Sequence, residues 1–156
     1  MIALRDANVA THAGDLSGAR RALSRAVRYL GRADADTDVP NWAAFVGPFE
    51  VDYDTADMYV RADQPKRAVP FLRAAVRGVG GGLARNSAAY RVKLAGALLA
   101  AGEVDEACAE VGGVLDTWGG LASPRLLGKV HDFQRVAGVV GSPTARECAA
   151  RIRETV

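Results

Sequence analysis

The chain has 156 residues, with 20 Lys and Arg against 18 Asp and Glu, and 49% of it is hydrophobic. Those values fit one folded domain with a real core and exclude a disordered tail or a chain built around a membrane span. A net charge of +2 supplies no bulk field to draw nucleic acid or an anionic membrane.

Alanine is abundant, at 30 residues, and isoleucine scarce, at 2, a balance that favours helix. Turn residues cut the chain into pieces of helical length, at Gly14-Asp15, Ala33 to Asp38, Gly47-Pro48, Asp63-Gln64-Pro65, Gly78 to Gly82, Gly102, Gly119-Gly120 and Gly141-Ser142-Pro143. Between them apolar residues recur three and four apart, as in Ala19, Leu23, Ala26, Val27, Leu30 and again in Ala68, Leu72, Ala75, Val76, Val79. The spacing predicts about eight helices, near 2–13, 16–31, 41–46 continuing as 49–62, 65–78, 86–101, 104–118, 122–139 and 143–154. No segment alternates at strand period, so the expected fold is all-α.

A repeat runs through these helices. Seven residues before Gly14, Asp63 and Gly102 lie Ala7, Ala56 and Ala95; five after them lie Ala19, Ala68 and Ala107. Nine after come Leu23, Leu72 and Val111, twelve after Ala26, Ala75 and Val114, and thirteen after Val27, Val76 and Leu115. Two antiparallel helices can approach closely only where small side chains meet, and the paired alanines supply that contact. The pattern resembles the tetratricopeptide repeat, with Asp63 where the turn glycine would be. The resemblance implies a helical-repeat solenoid filling a single domain, 1–156. Its degenerate repeats fall near 2–31, 49–79 and 86–118, and capping helices cover 122–155.

Three further stretches sharpen the likeness: VPNWAAFVGPFEVDYDTADMYV, RNSAAYRVKLAGALLAAGEVDEACAEVGGVLD and LASPRLLGKVHDF. Together they resemble the C-terminal tetratricopeptide-like region of actinobacterial helix-turn-helix regulators of the Xre type. In that family a DNA-binding domain precedes the repeats. The implied role is sensing of a ligand or peptide, with no direct DNA binding by this chain alone. A stand-alone scaffold or homodimerisation protein is the alternative, and a helical enzyme or carrier is a third.

In such a repeat the first helices present an inner stripe. Here that stripe is Leu4, Asn8 and His12, then Glu50, Tyr53, Asp57 and Arg61, then Ala89, Val92, Gly96 and Ala100. A polar wall facing a small, apolar one would suit a peptide, a protein segment or a small amphipathic effector. The competing reading is a solvated face with weak helical ion pairs. Trp42 and Phe45 read first as packing and second as a stacking platform. Trp118 reads as packing at the end of its helix.

No catalytic set stands out, and no cofactor or metal is expected. His12 and His131 have Asp15 and Asp132 near them in sequence, but neighbours along a helix do not face each other. The glycine run from Gly78 to Gly82 lacks the Lys-Ser/Thr of a phosphate loop and follows a helix, so it reads as a linker and helix cap. Arg125, Lys129 and Asp132 share a helix face, with Arg135 one turn further, that reads first as solvated and second as an anion or partner contact. Cys108 and Cys148 read as two buried, reduced thiols. With no signal-peptide pattern at the N-terminus, the expected location is the cytoplasm.

Overall fold

A computed structural model describes residues 2–33 and 47–156. The predicted helix over 41–46, with Trp42 and Phe45, lies outside the described residues. Among those described, all regular structure is helical: α1 (Ile2–His12), α2 (Leu16–Ala33), α3 (Pro48–Arg61), α4 (Pro65–Gly78), α5 (Ala84–Ala101), α6 (Val104–Leu115), α7 (Trp118–Leu121), α8 (Pro124–Ala137) and α9 (Pro143–Thr155). One 3-10 turn, Gly81–Leu83, leads into α5. The chain divides into two compact units, residues 1–78 and 79–156.

In the first unit α1 packs on α2, α3 packs on α4, and α3 also lies against both α1 and α2. Ala3, Ala7, Ala19, Ala22, Leu23, Ala26, Val51 and Met58 form one buried cluster. Alanine dominates it, so the helices approach closely and there is little slack for a longer side chain. Asp15 caps α2: the Gly18 N–H donates to Asp15 Oδ1 at 2.8 Å, filling one of the orphan donors of the first turn. A Cβ on Gly18 would fall 2.2 Å from Asp15 Oδ2, so the cap uses the bare glycine.

In the second unit α5 packs on α6 and α8, and α9 lies against α6 and α8. Its interior includes Leu94, Leu98, Val111, Val130, Phe133 and Ile152. Ser123 caps α8 by accepting from the Leu126 N–H at 3.2 Å, with Pro124 opening the helix where no donor is needed.

Three turns are built alike. Gly14, Asp63 and Gly102 have φ of 76°, 55° and 91°. Each turn closes with two bonds: Asp15, Gln64 and Glu103 N–H donate to the carbonyls of Ala10, Tyr59 and Leu98, and the turn residues donate to Thr11, Val60 and Leu99. That is the Schellman arrangement, which requires a left-handed residue at the turn. Asp63 is the single non-glycine with positive φ among the described residues. Ala7, Ala56, Ala95, Ala19, Ala68 and Ala107 are all at most 1% exposed. The thirteenth position after the turn is not uniform: Leu115 is buried, whereas Val27 is 57% exposed.

Helix ends depart from expectation in places. Helix α6 stops at Leu115, not 118, and Trp118 opens the short α7. Gly112 and Gly113 weaken that end, and the Thr117 hydroxyl donates back to the Val114 carbonyl at 3.3 Å, competing with continued helix. Helix α5 starts at Ala84, two residues early, because the glycine run ends in a 3-10 turn.

Candidate functional site

Six of the eight predicted groove residues fall in the first unit, on α1 and α3, and two fall on α5 in the second. On α1 and α3 the structure joins four of them. His12 Nδ1 lies 2.9 Å from the Asn8 carbonyl. Arg61 Nη2 donates to His12 Nε2 at 2.8 Å, and Arg61 Nε donates to Asp57 Oδ2 at 2.9 Å.

This chain fixes a tautomer. A guanidinium only donates, so Nε2 must accept; a carbonyl only accepts, so Nδ1 must carry the proton. The His12 ring is therefore oriented from both sides. Asp57 is 8% exposed and anchors the chain from within, while Asn8, His12 and Arg61 are exposed. Glu50 and Tyr53 are half-buried on the same helix as Asp57. The wall is polar, hydrogen-bonded at its centre and partly acidic.

The α5 residues behave differently. Gly96 and Ala100 are exposed and Ala89 half-buried, but Val92 is 3% exposed. Val92 therefore belongs to the interior and does not line an open apolar wall.

No protein family, curated protein or solved structure matches this chain. The site is thus read from its own chemistry.

The remaining candidates are dispersed. His131 is exposed on α8, and Asp132 beside it pairs with Arg135 at 2.7 Å. Arg125 is exposed and Lys129 half-buried. Among the described residues no group of three or more His, Cys, Asp and Glu is placed to hold a metal ion, and no helix is long and apolar enough to cross a membrane. Trp118 is half-buried.

The thiols sit on the two neighbouring helices α6 and α9. Cys148 is buried and Cys108 half-buried, with Cys108 Sγ 3.8 Å from the Thr144 carbonyl. Burial pushes the Cys148 thiol up to about 12 and raises Cys108 as well, so both favour the unreactive thiol form. Burial also raises the Asp52 carboxyl on α3, partly offset by the charge of Arg77.

Sequence reasoning missed a second feature of the first unit. Tyr59 stacks on Phe71 with centroids 5.7 Å apart, and the Arg67 guanidinium lies 4.6 Å over the Tyr59 ring. The signal was available: Tyr59 and Phe71 stand on the two helices that flank the Asp63 turn.

Proposed function

We propose that this chain is a tetratricopeptide-like binding domain, not an enzyme, and that the α1–α3 face of its first unit holds a peptide or a small amphipathic effector. Three observations support the repeat assignment: three Schellman turns of one design, six buried alanines at one spacing around them, and the α1–α4 packing in which the first helix α1 touches the next first helix, α3. The hydrogen-bonded run from Asn8 through His12 and Arg61 to Asp57 carries the site assignment. Its members come from both first helices, and a preorganised polar wall binds at lower entropic cost than a mobile one. Tyr53 adds stacking area and a hydroxyl beside it.

By its sequence resemblance the domain would serve as the sensory part of a transcriptional regulator, with base readout left to a separate DNA-binding domain. Ligand binding would then bias that domain's orientation or pairing. A scaffold or dimerisation role is the second reading, favoured by Ile2 and Val9. These lie seven residues apart on α1 and are 80% and 64% exposed. Selection from a random peptide display library, followed by calorimetry, tests the first reading. Tyr53→Ala should weaken a selected peptide by about thirtyfold, the size of a hot-spot truncation of ~2 kcal/mol. Unchanged affinity in Tyr53→Ala and Glu50→Gln together would remove the α1–α3 face from consideration.

A further inference from the structure

Helix α2 carries Arg20, Arg21, Arg25, Arg28 and Arg32 and no acidic residue. At 100° per residue, Arg21, Arg25 and Arg28 fall within about 60° of one another, and Arg32 continues the same register. Arg21, Arg25 and Arg28 face away from Ala19, Ala22, Leu23 and Ala26, which bury the opposite side of the helix. Arg21 and Arg28 are exposed, as are Ser17 and Ser24 beside them. Arg25 pairs with Asp6 of α1 at 3.3 Å, with both side chains about half exposed. From Arg21 to Arg28 the helix rises about 10 Å.

From this we infer, against the expectation of no direct DNA binding, that the outer face of α2 binds the phosphodiester backbone of nucleic acid without reading its sequence. A strand of duplex DNA carries one charge per 3.4 Å of axis, so about 10 Å of stripe spans roughly three phosphates. Guanidinium groups suit phosphate because they donate in a fixed fork. Two other partners fit less well on the same physics. An acidic protein surface would meet the stripe through exposed ion pairs, worth about 0–1 kcal/mol each, and the exposed apolar side chains of α2, Val27 and Tyr29 at 57% and 62%, flank the arginines on opposite sides instead of forming one central anchor. A membrane-surface helix lays its apolar face in the lipid, whereas that face of α2 is in the core. A polyelectrolyte instead releases condensed counterions at every neutralised phosphate, a term that exposed arginines collect and for which an exposed pair such as Arg25–Asp6, worth about 0–1 kcal/mol, can be exchanged. Base readout needs an element seated in a groove, and α2 is held in the helix packing, so the binding is sequence-independent. This surface lies on a different helix from the α1–α3 wall and stands without it.

The test is fluorescence anisotropy of a labelled random-sequence duplex with the whole chain, between about 50 and 200 mM salt. Neutralising three phosphates predicts an affinity loss of about fortyfold across that range, from a slope of about 0.9 per phosphate. The double variant Arg21→Gln/Arg28→Gln should bind more weakly throughout and lose only about three- to fourfold. Ser24→Glu, which sets a negative charge between those arginines, should weaken binding in the same direction. Arg125→Gln/Arg153→Gln, the same charge change in the second unit, should leave the fortyfold dependence in place. Absence of binding at the lowest salt, or equal losses in the two double variants, overturns the inference. So does displacement of the duplex by poly-glutamate or by phosphatidylserine vesicles at equal charge, which would point to an acidic protein or a membrane instead.

Discussion

Replacing Ala107 by Leu puts the close approach of α5 and α6 to a direct test. Ala107 is 0% exposed on α6, and Ala95, its counterpart before the Gly102 turn, is 0% exposed on α5. Leu adds three carbon groups, which would gain about 2.4 kcal/mol if there were room to bury them, at ~0.8 kcal/mol each. With no room, the side chain leaves its preferred rotamer or drives the helices apart, and the net effect is a loss of about 1–3 kcal/mol. Ala109, two residues on, is exposed on the other side of α6, where Leu is nearly as good a helix former as Ala. There the same substitution should change stability by less than about 0.5 kcal/mol. For a chain of this size each kcal/mol moves the melting midpoint by roughly 2–4 °C. Ala107→Leu should therefore melt about 2–12 °C lower and Ala109→Leu within about 2 °C of wild type, as followed by far-UV circular dichroism. Equal shifts at the two sites, or a stabilised Ala107→Leu, would refute the close-packed hairpin.

Asp63→Gly should raise stability by up to about 1 kcal/mol in urea titration, because it relieves a left-handed residue that has a Cβ. Gly102→Ala should lower it by about 1–2 kcal/mol, and since nothing lies within 4 Å of the added Cβ the whole cost is backbone. The raised Cys148 thiol contributes stability that is complete below the unfolded value near 9 and is lost as pH climbs toward about 12. The stability difference between wild type and Cys148→Ala should accordingly shrink in wild type's disfavour above pH 9 and be constant below it. Asp52 is raised too, so its contribution is present below pH 3.8 and lost above; Asp52→Asn should stabilise the protein at pH 7 and not at pH 3.

The helices were legible because alanine-rich periodicity and turn residues are local signals, and the turn anchors were legible because left-handed φ selects Gly and tolerates Asp. Two local details were not. The end of α6 depends on Thr117 turning its hydroxyl onto Val114, which spacing alone does not reveal. Val92 sits at an inner-stripe position in the sequence register yet is buried, since a repeat register names a face without saying what covers it. At the site, spacing placed Asp57 and Arg61 on one face, but the link to His12 joins residues 49 apart in the chain and exists only once α1 meets α3. That link changes the expectation for Asp57: being 8% exposed and bonded to Arg61, it is a support of the wall, and truncating it should cost stability as well as binding. The arginine stripe of α2 was fully present in the sequence. A net charge of +2 hides it, because acidic residues elsewhere balance it in the sum but not along the helix.

The most direct test of the binding-face assignment is a two-dimensional amide NMR titration of the whole chain with a library-selected peptide. The shifts should concentrate in residues 2–12 and 48–61, with His12, Tyr53 and Arg61 among the largest, and Tyr53→Ala should flatten them. Shifts confined to α8 and α9, or spread evenly over both units, would contradict the assignment.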